Sequence, residues 1–337
     1  MFLIEKYFPR KIEDSFFHKD IIEFLKNIKK DKAIPNVLLY GMNPSCGKKS
    51  IMYLLLSLIF NESVYETRKI RYEVSSNVKK IIEEEVEQSD YHCEIEPKGN
   101  NFDRYLIRDI VEKYAKKNPL IKAPFNIIVI HNFERLTESS QYCLRVIMEE
   151  HAKTCRFIIL SNSLSKIKPP ILSRNILSKI PSPTDEEMLN YVKMINEKEN
   201  IKASEEELKE YVKNANGNIK ELLWQLEFKR QNVLYEKNYK KTITELKNLI
   251  LSCDIKNISE TREIFFKMMI TNIEGTQILE DLTKEILIDL YKKQIDKVKI
   301  KDILELACLT DNMLNIGRRE LYAMEYFFIN IMRILIN

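Results

Sequence analysis

The most constraining feature of this chain is a pair of glycines in a sequence that has almost none. Six glycines occur among 337 residues, about 2% where globular chains average about 7%. A sequence so poor in glycine keeps one mainly where a side chain is not tolerated. Gly41 and Gly47 nevertheless stand close together. They follow a short apolar run at residues 36–40, introduced by Pro35, and precede Lys48, Lys49, Ser50 and an apolar stretch at 51–60. The run predicts a buried strand, and Leu54, Leu55 and Leu58 predict one face of a helix. Strand, glycine loop and helix, in that order, are what a phosphate cradle built from backbone N–H groups needs.

The loop reads Gly41-Met42-Asn43-Pro44-Ser45-Cys46-Gly47-Lys48-Lys49-Ser50. A phosphate loop normally spaces its glycines by four residues and follows its lysine with a Ser or Thr hydroxyl that holds Mg²⁺. Here five residues separate the glycines, Met42 takes the expected first glycine position, and Lys49 takes the hydroxyl position, displacing Ser50 by one. Hydrolysis also needs carboxylates at the end of a neighbouring strand, for the metal and for activating water. The candidate strand, 126–130, is followed by His131 and Asn132, with Glu134 two residues further on and expected to point elsewhere. The pattern predicts a site that binds nucleotide without cutting it.

Apolar runs at 126–130, 157–160 and 176–180 predict further buried strands. Helical patterns at 103–117 and 137–150 lie between them, the second with Leu144, Ile147 and Met148 on one face. Buried strands alternating with helices predict a parallel α/β sheet covered on both faces. Residues 67–96 alternate polar and apolar side chains, as an antiparallel excursion does. Hydrophobic residues make up 45% of the chain and charged residues 31%, which excludes wholesale disorder. No apolar run approaches the ~18 residues of a membrane span, and the opening MFLIEKYFPRK is charged too early for a signal peptide. The net charge of +4 is too small to identify a nucleic-acid binder, so any basic surface must be local. Cys46, Cys93, Cys143, Cys155, Cys253 and Cys308 are scattered, as reduced thiols are, and form no CxxC.

Composition changes at Pro181-Ser182-Pro183, after which the pattern is helical. Thr184 with Glu187, Ser204 with Glu207 and Asn218 with Glu221 each have the spacing of a capping box, predicting three helices that end near Gln231. Gly217 stands where the second must end and the third begin. The remainder, from about 239 to 337, is helical again. In its last helix Leu321, Met324, Phe328, Ile331 and Leu335 follow the three-four spacing of a helix packed in a bundle. A helical bundle without partners would bury that stripe within this one chain.

Several segments carry a likeness to a known family: Glu5-Lys6-Tyr7-Phe8-Pro9-Arg10, Pro35-Asn36-Val37-Leu38-Leu39-Tyr40-Gly41, Asn162-Ser163-Leu164-Ser165-Lys166-Ile167 and Pro169-Pro170-Ile171-Leu172-Ser173-Arg174-Asn175. In these the chain resembles the small subunits of replication factor C, the clamp loader of the AAA+ class. Gly47-Lys48-Lys49, Tyr91-His92-Cys93-Glu94-Ile95-Glu96-Pro97 and Thr154-Cys155-Arg156 make it similar to the type numbered three in animals and five in yeast.

The resemblance implies an α/β AAA+ phosphate-loop domain with a parallel sheet (1–182), a three-helix lid (183–235) and an all-α collar (236–337). It also implies a set of roles. Gly41, Gly47, Lys48, Lys49 and Ser50 would form the nucleotide loop, with Tyr7 and Pro9 beside the adenine of ATP or ADP. Asn162 would be the first sensor of the terminal phosphate, and Lys220 the second, in place of the family's usual arginine. Arg174 would be an arginine finger acting on a neighbouring subunit's nucleotide, although Asn175 replaces the family's cysteine. The implied partners are other replication factor C subunits, a sliding clamp and primer–template DNA in the nucleus, with no membrane. Mg²⁺ is implied by the family, but its usual ligands are missing.

For DNA, Arg104 matches an arginine that faces the duplex in the family, and Arg108 lies four residues on, on the same helix face. Arg145, off the apolar face of its helix, is a weaker candidate. His92-Cys93 and His151 with Cys155 lack the paired spacings of a zinc site and read as structural. Glu83-Glu84-Glu85 reads as a solvated edge. Two other functional readings stay open: a self-sufficient AAA+ ATPase, and a degenerate scaffold that binds no nucleotide.

Overall fold

The computed structural model describes all residues except 31–33, 44, 61, 76–80, 100–101, 120–123, 234–237, 255–256, 271–272, 274, 293–296, 317–319 and 337. The chain divides into two compact units, Met1–Leu234 and Tyr235–Asn337. The lid–collar boundary expected at 235–236 lies outside the described residues, as does Pro44 of the loop.

The first unit is built on a seven-stranded sheet: β1 (Val37–Tyr40), β2 (Arg68–Ser75), β3 (Ile81–Gln88), β4 (His92–Ile95), β5 (Asn126–Ile130), β6 (Cys155–Ser161) and β7 (Ile176–Lys179). Its order is β2-β3-β4-β5-β6-β1-β7. Strands β4, β5, β6, β1 and β7 are parallel, and β2 and β3 form an antiparallel hairpin on β4. The excursion expected within 67–96 therefore exists, but its last segment, β4, is a full member of the parallel sheet. His92 and Glu94 interrupt the apolar pattern that would have marked it as one.

The helices of this unit are α1 (Leu3–Lys6), α2 (Lys19–Lys30), α3 (Lys48–Phe60), α4 (Asp103–Leu106), α5 (Glu112–Ala115), α6 (Glu138–Glu150), α7 (Pro169–Leu172), α8 (Asp185–Glu199), α9 (Glu205–Ala215) and α10 (Ile219–Arg230). A π turn, Ile107–Val111, joins α4 to α5 in one continuous helix. Alternate strand residues serve opposite faces of the sheet. Leu38, Ile128, Ile130, Phe157 and Ile159 pack with Leu106, Ile110, Leu144 and Ile147 of the helices on one side. Val37, Leu39, Ile127, Val129, Ile158 and Leu160 pack with Ile51, Met52, Leu55 and Leu56 of α3 on the other. Helix α3 is therefore buried nearly all round, and not on the single face expected; Leu58 is only partly covered.

Helices α8 to α10 close the first unit as a three-helix group, in the segment where a lid is expected. Thr184 and Ser204 close reciprocal capping boxes with Glu187 and Glu207. The third expected box is only half made. Asn218 accepts from the Glu221 N–H, but the Asn218 N–H is already given to the Ala215 carbonyl, and the Glu221 carboxylate accepts from Gln225. The core of this group includes residues from the far N-terminus: Leu3 and Phe17 pack with Met188, Tyr191, Leu222 and Leu226. The Leu3 N–H donates to Glu227 Oε2 at 2.9 Å, giving a buried carboxylate a partner.

The second unit contains α11 (Asn238–Leu251), α12 (Ile258–Ile270), α13 (Gly275–Lys292), α14 (Lys297–Ile316) and α15 (Glu320–Ile336). Met324, Phe328 and Ile331 lie in its core with Phe265, Leu282 and Ile286, and Leu321 and Leu335 pack at its margin. The α15 stripe is thus consumed within this chain's own bundle and by itself gives no argument for a partner. The opposite face of α15 carries Tyr322, Tyr326 and Ile329, all exposed.

The Glu83–Glu85 run meets expectation only in part, Glu83 and Glu85 being exposed. It lies in β3, inside the edge strand β2, and Glu84 is turned inward to meet Lys98 Nζ at 2.5 Å. Among the described residues, no helix is long and apolar enough to cross a membrane.

Candidate nucleotide site

The parallel strands end together, and the register sets the loops that follow them side by side: Tyr40 pairs with Ser161, and Ile95 with Ile130. Ligands of open α/β sheets bind in the crevice at these carboxyl ends. Gly41 is required there by close approach, because a Cβ would lie 2.4 Å from the Ile180 carbonyl oxygen beside it. Gly47 is required by its backbone, with φ at +104° immediately before α3. Met42, in contrast, is 89% exposed, so its side chain does not obstruct the loop.

A cavity of about 350 Å³ opens over the start of α3. Tyr7, Pro9, Gly47, Lys48, Lys49, Ser50 and Lys220 all line it, so seven of the expected nucleotide residues converge. Phe8, Phe16 and Leu54 give it an apolar end. Gly41 lies beneath the loop, and its carbonyl accepts from Lys48 Nζ at 2.7 Å. The same ammonium reaches the Asn43 carbonyl at 2.8 Å. Burial pulls the Lys48 ammonium below its ordinary pKa. The loop is tied to the junction of α9 and α10 by Asn43 Nδ2 to the Asn216 carbonyl at 3.2 Å and by the Ile219 N–H to the Ser45 carbonyl at 3.3 Å. An aromatic and apolar end, a glycine loop and the N-terminus of a 13-residue helix together fit a nucleotide.

Asn162 lines an adjacent cavity that shares Lys48 and Lys49 and includes Glu94, His131 and Asn132. Glu134 does not point away from this site, as expected from its spacing. Asn132 adopts a left-handed conformation (φ 44°), and the short turn it starts brings Glu134 back over the end of β6. There Glu134 Oε1 accepts from Asn162 Nδ2 at 2.7 Å, and its Oε2 accepts from the Asn162 N–H at 3.1 Å. Asn132 Nδ2 donates to Glu96 at 2.7 Å.

Glu94 and His18 are functional candidates that no sequence pattern singles out. The Glu94 side chain is nearly fully buried at the end of β4. Its Oε1 accepts from the Tyr53 hydroxyl and lies 3.2 Å from His92 Nε2; its Oε2 is 2.7 Å from His131 Nε2 and 3.7 Å from Lys49 Nζ. Burial alone would raise its pKa, but the hydrogen bonds from His131 and His92 and the charge of Lys49 outweigh it, holding the carboxyl well below its usual range. His18 donates Nε2–H to the loop carbonyl of Cys46 at 2.7 Å, and burial lowers its pKa.

Arg174 lines neither cavity. It follows α7, with Nη2 2.5 Å from Glu149 Oε1 and Nη1 2.7 Å from the Pro170 carbonyl. Arg145 Nε approaches the same Glu149 oxygen at 3.9 Å. Arg104 and Arg108 share one face and line a separate cavity with Tyr105, Glu112 and Glu150. Arg108 is paired with Asp109 at 3.2 Å. His92 and Cys93 are taken up by β4, with His92 Nδ1 2.6 Å from Ser89 Oγ; His151 ends α6 and Cys155 begins β6.

Known proteins are similar to this chain in sequence along its length. A family model described as DNA polymerase III, delta subunit, matches residues 17–184. A replication factor C small-subunit homologue of Acanthamoeba polyphaga mimivirus is 35% identical, covering 100% of this chain and 92% of that protein. Replication factor C subunit 5 of Saccharomyces cerevisiae is 26% identical, covering 98% of each chain. Replication factor C subunit 3 of Homo sapiens is 24% identical, covering 96% of this chain and 93% of that one. With an α/β first unit and an all-α second unit, the chain belongs to the replication factor C small-subunit family.

Proposed function

We propose that this chain is a clamp-loader subunit that holds ATP or ADP without hydrolysing it and supplies an arginine to a neighbouring subunit's site. It assembles with other replication factor C subunits, and the complex uses ATP to open a sliding clamp and place it on primer–template DNA. One observation carries the reading. Tyr7, Pro9, Gly47, Lys48, Ser50 and Lys220 share a cavity, whereas the positions for catalytic acids hold His131 and Asn132, and Glu134 is spent on Asn162. Phosphate entering the loop replaces the Gly41 and Asn43 carbonyls as the partners of Lys48. The rows Arg104–Arg108 on one helix and Tyr322–Tyr326–Ile329 on another are the faces we assign to DNA backbone and to sister subunits.

Arg174 is partly exposed and held by Glu149, so engaging a neighbour's phosphates exchanges one carboxylate partner for another anion. Fingers of this kind contribute ~10³–10⁵ in rate. In a reconstituted complex, Arg174→Ala is expected to leave assembly intact and to remove the ATPase activity of the adjoining site. Unchanged steady-state turnover would contradict the assignment.

A further inference from the structure

In a phosphate-loop site the residue after the lysine offers a hydroxyl to Mg²⁺, and that cation takes oxygen ligands in near-octahedral geometry. The donor set here does not fit it. The hydroxyl position is Lys49, a residue that lines both cavities and carries a cation of its own. Glu94, the acid beside it, has both oxygens committed, to Tyr53 and His92 on one side and to His131 on the other. Both oxygens of Glu134 face Asn162 and Ser161, and Glu96 accepts from Asn132. Among the described residues, no group of three or more His, Cys, Asp or Glu side chains is arranged to hold a metal ion. A carboxylate already saturated with donors gives up those hydrogen bonds to bind a metal, and a lysine ammonium repels a divalent ion brought beside it.

We infer that Lys49 takes the place of the divalent cation, so that this chain binds a nucleoside di- or triphosphate on two lysines, Lys48 and Lys49, without Mg²⁺. The inference rests on the nucleotide-binding reading above and adds the chemistry by which the phosphates are neutralised. Glu94 Oε2, 3.7 Å from Lys49 Nζ, is the carboxylate that pairs with this ammonium.

The test is titration of the full chain with the fluorescent nucleotides mant-ADP and mant-ATP, in excess magnesium chloride and in excess EDTA at matched ionic strength. The dissociation constants are expected to agree within about twofold between the two conditions, and Lys49→Ala to weaken binding in EDTA by about tenfold or more, the loss of one charge-assisted hydrogen bond. Binding that weakens about tenfold when the metal is chelated overturns the inference and leaves the nucleotide-binding reading intact. Lys49→Ala binding as tightly as the parent chain in EDTA also overturns it. Failure to bind in either condition refutes the nucleotide-binding reading itself, and this inference with it.

Discussion

His18 couples the phosphate loop to the N-terminal segment through one hydrogen bond, at a backbone φ of 60°. Because burial lowers its pKa, the unfolded chain takes up a proton below about pH 6.5 that the folded chain does not. Stability from this group is therefore present above that pH and declines as pH falls. Thermal melts are expected to show the parent chain losing more stability than His18→Gln between about pH 7 and about pH 5; parallel losses would contradict the role. At this scale the loop itself is legible, since Gly41, Gly47 and Lys48 announce a cradle in a glycine-poor chain. The direction of Glu134 is not, because it depends on the left-handed turn at Asn132, which no linear spacing encodes. Glu94 escapes notice because its partners, Tyr53 and His131, come from distant segments.

At the scale of elements, local signals are legible and non-local ones are not. Thr184 and Ser204 bond within three residues, so their boxes form as read; Asn218 fails to complete its own because the preceding turn claims its N–H. Strand β4 is not separable by pattern from the hairpin before it, since its place is set by pairing with β5. The helix at 103–115 contains a π turn that periodicity does not foretell, yet Arg104 and Arg108 still line one cavity. Phosphate contacts make DNA affinity fall with salt, by a logarithmic slope of about one per contact. For the assembled complex, Arg104→Ala is expected to reduce that slope by about one. An unchanged slope would mean that this helix face does not meet the duplex.

For the whole molecule, two features stand together: a cavity that fits a nucleotide, and neighbouring strand ends that carry imidazole, amide and ammonium groups. The proposal that this subunit binds nucleotide and does not cut it rests on that pair of features. The most direct test is the fate of γ-labelled ATP on the purified chain with magnesium present. Bound ATP is expected to be recovered intact, with phosphate release no faster than from Lys48→Ala. Sustained release that Lys48→Ala abolishes would contradict a binding-only role.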